Sequence, residues 1–151
     1  MSTYNNQWVR WVEASVVSYL SAGFQSDGIT SKFAGLPLHM GDNDKYVEII
    51  LDGPHVEEVA KGDYSISLNI TILVEYQVTN DIYESADIIG ISIGLLRSIP
   101  VYRKGDDNAM IGCLVSDAQT TRDWSGRDQG VNDTQTAMHQ RSIQAELMME
   151  L

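Results

Sequence analysis

From residue 64 to residue 78 every second side chain is apolar or aromatic: Tyr64, Ile66, Leu68, Ile70, Ile72, Val74, Tyr76 and Val78. Between them stand Ser65, Ser67, Asn69, Thr71, Glu75 and Gln77, and only Leu73 breaks the polar series. A period of two predicts a strand with one dry face and one wet face. At about 3.4 Å per residue it spans roughly 50 Å, well beyond the usual strand of about 5–6 residues. Such a strand is expected to outrun a small sheet and to need a partner over its projecting end.

The rest of the pattern predicts elements around that strand. Trp8, Val12, Val16 and Tyr19 or Leu20 recur at helical spacing over residues 5–21, with Trp11 beside them, and Gly23 is a plausible stop. Residues 22–45 are rich in Gly, Ser and Asp and read as a long surface loop pinned by Phe33, Leu36, Leu38 and Met40. Residues 46–52 form a strand that Gly53-Pro54 ends. A second helix is expected over residues 81–97, capped by Asn80 or Asp81, with Glu84 and Asp87 in its early turns. Its stripe is Ile82, Ala86, Ile89, Ile93 and Leu96, widened by Ile88, Ile91 and Leu95, which predicts a more buried helix than the first. Gly90 and Gly94 lie one turn apart, each costing about 1 kcal/mol of helix propensity, a cost that close packing would explain.

A short apolar strand is expected over residues 109–115. Residues 116–136 are polar apart from Trp124 and Val131 and read as a flexible loop, open to cleavage near Arg122 or Arg127. In the closing strand Ile143, Ala145, Leu147, Met149 and Leu151 alternate with Gln144, Glu146, Met148 and Glu150. Met138 is out of phase with that set, which predicts a bulge or a start near residues 140–142. The fold class expected is α+β: an antiparallel sheet with a long strand or hairpin and two helices packed on one face.

Composition narrows the functions. A chain of 151 residues suits one domain, residues 1–151, with one continuous core. The formal charge of -11 repels free nucleic acid unless a local basic patch overrides it. The only adjacent basic pair, Arg103 and Lys104, is followed at once by Asp106 and Asp107. Cys113 is the single cysteine, which rules out an internal disulfide and a CxxC site; a small buried apolar residue is the expected role. Polar residues 2–7 lack the look of a signal peptide, and no run of 18 apolar residues occurs, so a soluble chain made in the cytosol is expected.

Candidate chemistry is sparse. His55 near Glu57 and Glu58 comes closest to a metal cluster but reads as a surface turn, and Asp42-Asn43-Asp44 lacks the glycine and glutamate of a calcium loop. GxSxG, GxGxxG and GxxxxGK[ST] do not occur. No catalytic, cofactor-binding or metal-ligating residue is therefore singled out, and the long apolar faces favour association over turnover.

With that order of elements the chain resembles the tail-terminator and tail-completion proteins of tailed bacteriophages. The likeness rests on the first helix (Trp8 to Leu20), a short strand before the long one, a central helix ending in Leu95-Leu96-Arg97, and the closing run Ser142-Ile143-Gln144-Ala145-Glu146-Leu147. It covers nearly the whole chain as a layout, with no invariant motif. The resemblance implies a structural virion protein without enzymatic activity: a homohexameric ring at the head-proximal end of the tail tube, assembled in the host cytoplasm. Its partners would be the tail tube protein, a neck or head-completion protein, and duplex DNA passing through the channel without specific binding.

On that reading Tyr64, Ile66, Leu68, Ile70, Ile72 and Trp124 are the expected subunit interface, and Ser65, Ser67, Asn69 and Thr71 the expected channel-facing residues. Two rivals stand beside it. One is a small cytosolic enzyme with a dispersed active site; the other is an acidic inhibitor that mimics DNA, which would need its acids in rows on one face.

Overall fold

The protein is described from a computed structural model over residues 4–33, 45–77, 84–103, 108–116, 122–129 and 138–151. Two helices, α1 (Trp8–Ser26) and α2 (Glu84–Leu96), accompany seven strands: β1 (Ser31–Phe33), β2 (Lys45–Ala60), β3 (Asp63–Gln77), β4 (Ser98–Tyr102), β5 (Met110–Ser116), β6 (Arg122–Gln129) and β7 (Met138–Glu150). The strands lie in the order β1-β2-β3-β7-β5-β4, with β6 also paired to β7. This is an α+β fold with a mixed sheet, because β1 runs parallel to β2 while every other pair is antiparallel.

β3 is the long strand that the alternation predicts, but it does not project. β2 pairs with it from Lys45↔Tyr76 to Ala60↔Asp63, and β7 from Gln77↔Met138 to Ser65↔Glu150. Its neighbours are long enough to complete both ladders within one subunit. Ile66, Leu68, Ile70, Ile72 and Val74 of β3 are fully buried, in a face shared with Val47 and Ile49 on β2 and Ile143, Ala145 and Leu147 on β7. Both helices contribute to that same core.

α1 continues past Gly23 and ends one turn later. Gly28 takes φ +71°, its N–H donates to the Gln25 carbonyl, and the Ile29 N–H donates back to the Phe24 carbonyl at 2.9 Å. That is a Schellman stop, with Phe24 and Ile29 both buried beside it. Gly23 serves instead where the helices meet: a Cβ there would come within 2.5 Å of the Leu95 side chain. Ser15, buried on the apolar side of α1, accepts a hydrogen bond from the Tyr102 N–H at 3.0 Å. The β4–β5 register shifts between Val101 and Tyr102, so the helix satisfies a donor that the ladder releases.

Other expectations are revised. β2 runs through Gly53-Pro54, a cis peptide, with a one-residue shift between Asp52 and His55; His55 therefore sits in a strand and not in a surface turn. β1 lies inside the expected loop 22–45, with Phe33 buried, while Leu36, Leu38, Met40 and Asp42-Asn43-Asp44 lie outside the described residues. β6 occupies part of the expected loop 116–136. It continues the course of β5 along β7, since Ser116 pairs with Leu147 and Arg122 with Gln144, so Arg122 and Arg127 lie on a paired strand. β7 starts at Met138 and shows no register shift against β3; the irregularity near residues 140–142 lies in its other ladder, between Ser125↔Arg141 and Asp128↔His139, with the extra residue on β6. In α2 the buried side is Ile88, Ile89, Ser92 and Leu96; Ala86 is exposed and Ile93 half-buried. Ile82, Asn80 and Asp81 lie outside the described residues.

Candidate assembly face

Both helices feed one core, and among the described residues no helix lies on the opposite side of the sheet. Alternation assigns its residues. On β3 they are Ser65, Ser67, Asn69, Thr71, Leu73 and Glu75, and the four expected channel residues thus share one face. Asn69 is exposed, Ser67 and Thr71 are half-buried, and Ser65 is buried between its neighbours. Cross-strand pairing places Glu48, Asp52 and Glu57 beside them on β2, and Glu146 and Glu150 beside them on β7. With Glu75 this makes six carboxylates on one face among the described residues. Lys32 on β1, in register with Glu48, is the lysine at its edge. Sequence order hid this gathering, since the acids come from three strands up to a hundred residues apart.

One titrating group on this face is clearly perturbed. Burial raises the Tyr46 hydroxyl first, and it also donates a hydrogen bond to the Glu75 carboxylate, with Glu75 and Glu48 adding negative field; its pKa is pushed up to about 12. The His55 imidazole lies 3.8 Å from the Asp52 carboxylate, with both side chains largely exposed, so the pair contributes little to stability.

Towards β5 the same face turns apolar. Val115 and Met148 are register partners, 50% and 46% exposed, next to half-buried Cys113 and Pro100. Cys113 is thus a half-buried free thiol on the outer face.

The expected interface residues are placed differently. Ile66, Leu68, Ile70 and Ile72 are 0% exposed in the subunit's own core, so their side chains are not available to a neighbour. Tyr64 is half-buried and stacks edge-on with Trp8, ring centroids 5.3 Å apart, while Tyr4 closes the cluster at 5.6 Å from Trp8. Trp124 pairs with Ser142 through the backbone. The length of β3 is not unpartnered length, because β2 and β7 pair along it. Nothing in the alternation of β3 announced that β2 and β7 match it.

Among the described residues two stretches of sheet edge, on β2 and β4, are blunted, while β6 pairs with β7 alone. Among the described residues Val47 to Ile49 are the part of β2 that pairs with β1, and the rest of that side of β2 carries Pro54, a bulge, and the acids Asp52, Glu57 and Glu58. The other edge, β4, is five residues long with Pro100 at its centre. Proline, bulges and charge are devices that oppose edge-to-edge pairing.

Other concavities and clusters add little chemistry. An open groove of about 500 Å³ is lined by Ser21, Gln25, Gly28, Ile29, Thr30 and Ser31, none of them acidic or basic. Among the described residues no group of three His, Cys, Asp or Glu side chains is placed to hold a metal ion, and no helix is long and apolar enough to cross a membrane. No protein-family model matches the chain, and comparison with curated proteins finds no match.

Proposed function

We propose that this chain is the subunit of a homohexameric ring that closes the head-proximal end of a phage tail tube and joins it to the neck. The observation that carries the reading is the uncovered sheet face, polar along β3 and acidic on both sides of it. Turned to the bore, Ser65, Ser67, Asn69 and Thr71 would meet passing duplex with carboxylates around them. Retention on DNA comes from Lys and Arg neutralising phosphates. A lining of this kind lets DNA slide.

The contacts that close the ring do not use the edges of β2 and β4, which proline, a bulge and charge blunt. They run through faces, of which the apolar area around Val115 and Met148 is one. The tail tube protein and a neck or head-completion protein are the expected neighbours along the axis.

The test is mass by light scattering, on the free protein and on protein mixed with tail tubes, with electron microscopy of the tube ends. A closed ring on those ends is the expected result. A monomer under both conditions, with bare tube ends, overturns the reading.

The gathered acids also favour a DNA mimic, but their density ranks it second. Duplex DNA carries one charge per about 1.7 Å, so a length equal to β7, roughly 44 Å, presents about 26 phosphates against this face's six carboxylates. A mimic would displace duplex from a DNA-binding protein in competition; the ring subunit would not.

A further inference from the structure

The outward side of α2 is built unlike a solvated helix face. Ala86, Gly90 and Gly94 follow one another at four-residue spacing and are exposed, and a Cβ added at Gly90 or Gly94 would meet nothing within 4 Å. Among the described residues nothing therefore demands glycine at these two positions, although each weakens the helix relative to alanine. The flanks of this side are Ile91 and Ile93, half-buried, and its ends carry opposite charges, Asp87 near the start and Arg97 just past the end, both exposed.

We infer that this face docks on the same face of a second copy of the chain, antiparallel about a twofold axis near the level of Ser92. The charges choose that occupant and orientation. Asp87 and Arg97 lie five residues either side of position 92, and Gly90 and Gly94 lie two either side. Turning a second helix end for end brings Asp87 to the level of the partner's Arg97 and Gly90 to that of the partner's Gly94. A parallel arrangement would oppose like charges. With no side chain between them the helix backbones can approach closely, which is the benefit that offsets the lost propensity. Such a contact is isologous and closes on itself. It does not rest on the ring reading: a twofold contact cannot make a ring, though in a ring it would join two rings back to back.

The experiment follows sedimentation and light scattering of the full chain up to about 100 μM, for wild type, Asp87→Arg, Arg97→Asp and the double variant, each checked for native circular dichroism. Either single reversal should weaken the twofold association by about tenfold or more, and the double variant, which restores opposite charges, should recover it. Gly90→Ala and Gly94→Ala should raise the melting temperature of the monomer by a few degrees while weakening the pair. In a Cys113→Ser background, a mixture of Gly90→Cys and Gly94→Cys chains should cross-link 90 to 94 under oxidation. Wild type that never forms a twofold pair overturns the inference, as does a pair indifferent to charge reversal, or a double variant as weak as the singles. A ring that persists in Asp87→Arg with the pair abolished supports both readings, and a pair without any ring fails the ring reading alone.

Discussion

Tyr46 and Glu75 face each other across β2 and β3, and their hydrogen bond exists only while the phenol keeps its proton. An unfolded chain loses that proton near pH 10, whereas the native state keeps it up to about 12. The unfolded state therefore binds fewer protons between those values, and stability falls with rising pH across that window. The contribution is whole below about pH 10 and gone above about 12. Denaturation midpoints of wild type and Tyr46→Phe, compared across the window, isolate it: the wild type loses more. Gly28 makes a second residue-scale prediction. Its φ of +71° has open space around it, so Gly28→Ala is strained by backbone alone and should cost about 1 kcal/mol in chemical denaturation. Neither residue stands out in the sequence. A tyrosine on a strand and a glycine after a helix become specific only when the register gives the first its carboxylate and the cap hydrogen bonds give the second its role.

Elements were most legible where one periodicity ran without interruption. β3, the core of α1 and the second half of β7 follow from alternation or helical spacing because one side of each meets the core throughout. β2 was cut short because its phase changes. Val47, Ile49 and Leu51 face the core before the shift at Asp52 and His55, and Val56 faces it afterwards, so a strict period of two ends where the strand does not. β4 escaped notice because Pro100 argues against a strand, and its place at an edge removes the objection. α2 was rotated in prediction because isoleucines surround most of it; only packing separates Ile88 and Ile89 from Ala86. Two measurements test the resulting faces. Ile89→Ala, at a buried position, should cost about 2–5 kcal/mol by urea denaturation. Ile70→Asp removes a fully buried side chain and strands a carboxylate among apolar neighbours, several kcal/mol against a total stability of about 5–15 kcal/mol, so the chain should fail to fold. Thr71→Asp, one residue away on the outer face, should keep a native circular dichroism spectrum.

At the scale of the whole molecule the charge of -11 is spread along the sequence, and six of its acids are brought together on the outer face of the sheet. Replacing Asp52, Glu146 and Glu150 by lysine should leave the fold intact, since all three are exposed, and should create binding to duplex DNA that weakens steeply with salt. An unchanged lack of binding would mean that this face cannot approach a duplex. The layout of the domain was readable as helices and strands in order, whereas which surfaces stay open was not, because that depends on strands from distant parts of the chain meeting in register. The completed ladder between β3 and β7 has one more consequence, a mechanical one. It runs from Ser65↔Glu150 to Gln77↔Met138 without a slip, so a pull along β7 from Glu150 loads the whole ladder in shear and does not peel it one bond at a time. Forced unfolding reports the rate of crossing that barrier. Under tension, then, this end of the sheet behaves as an anchor.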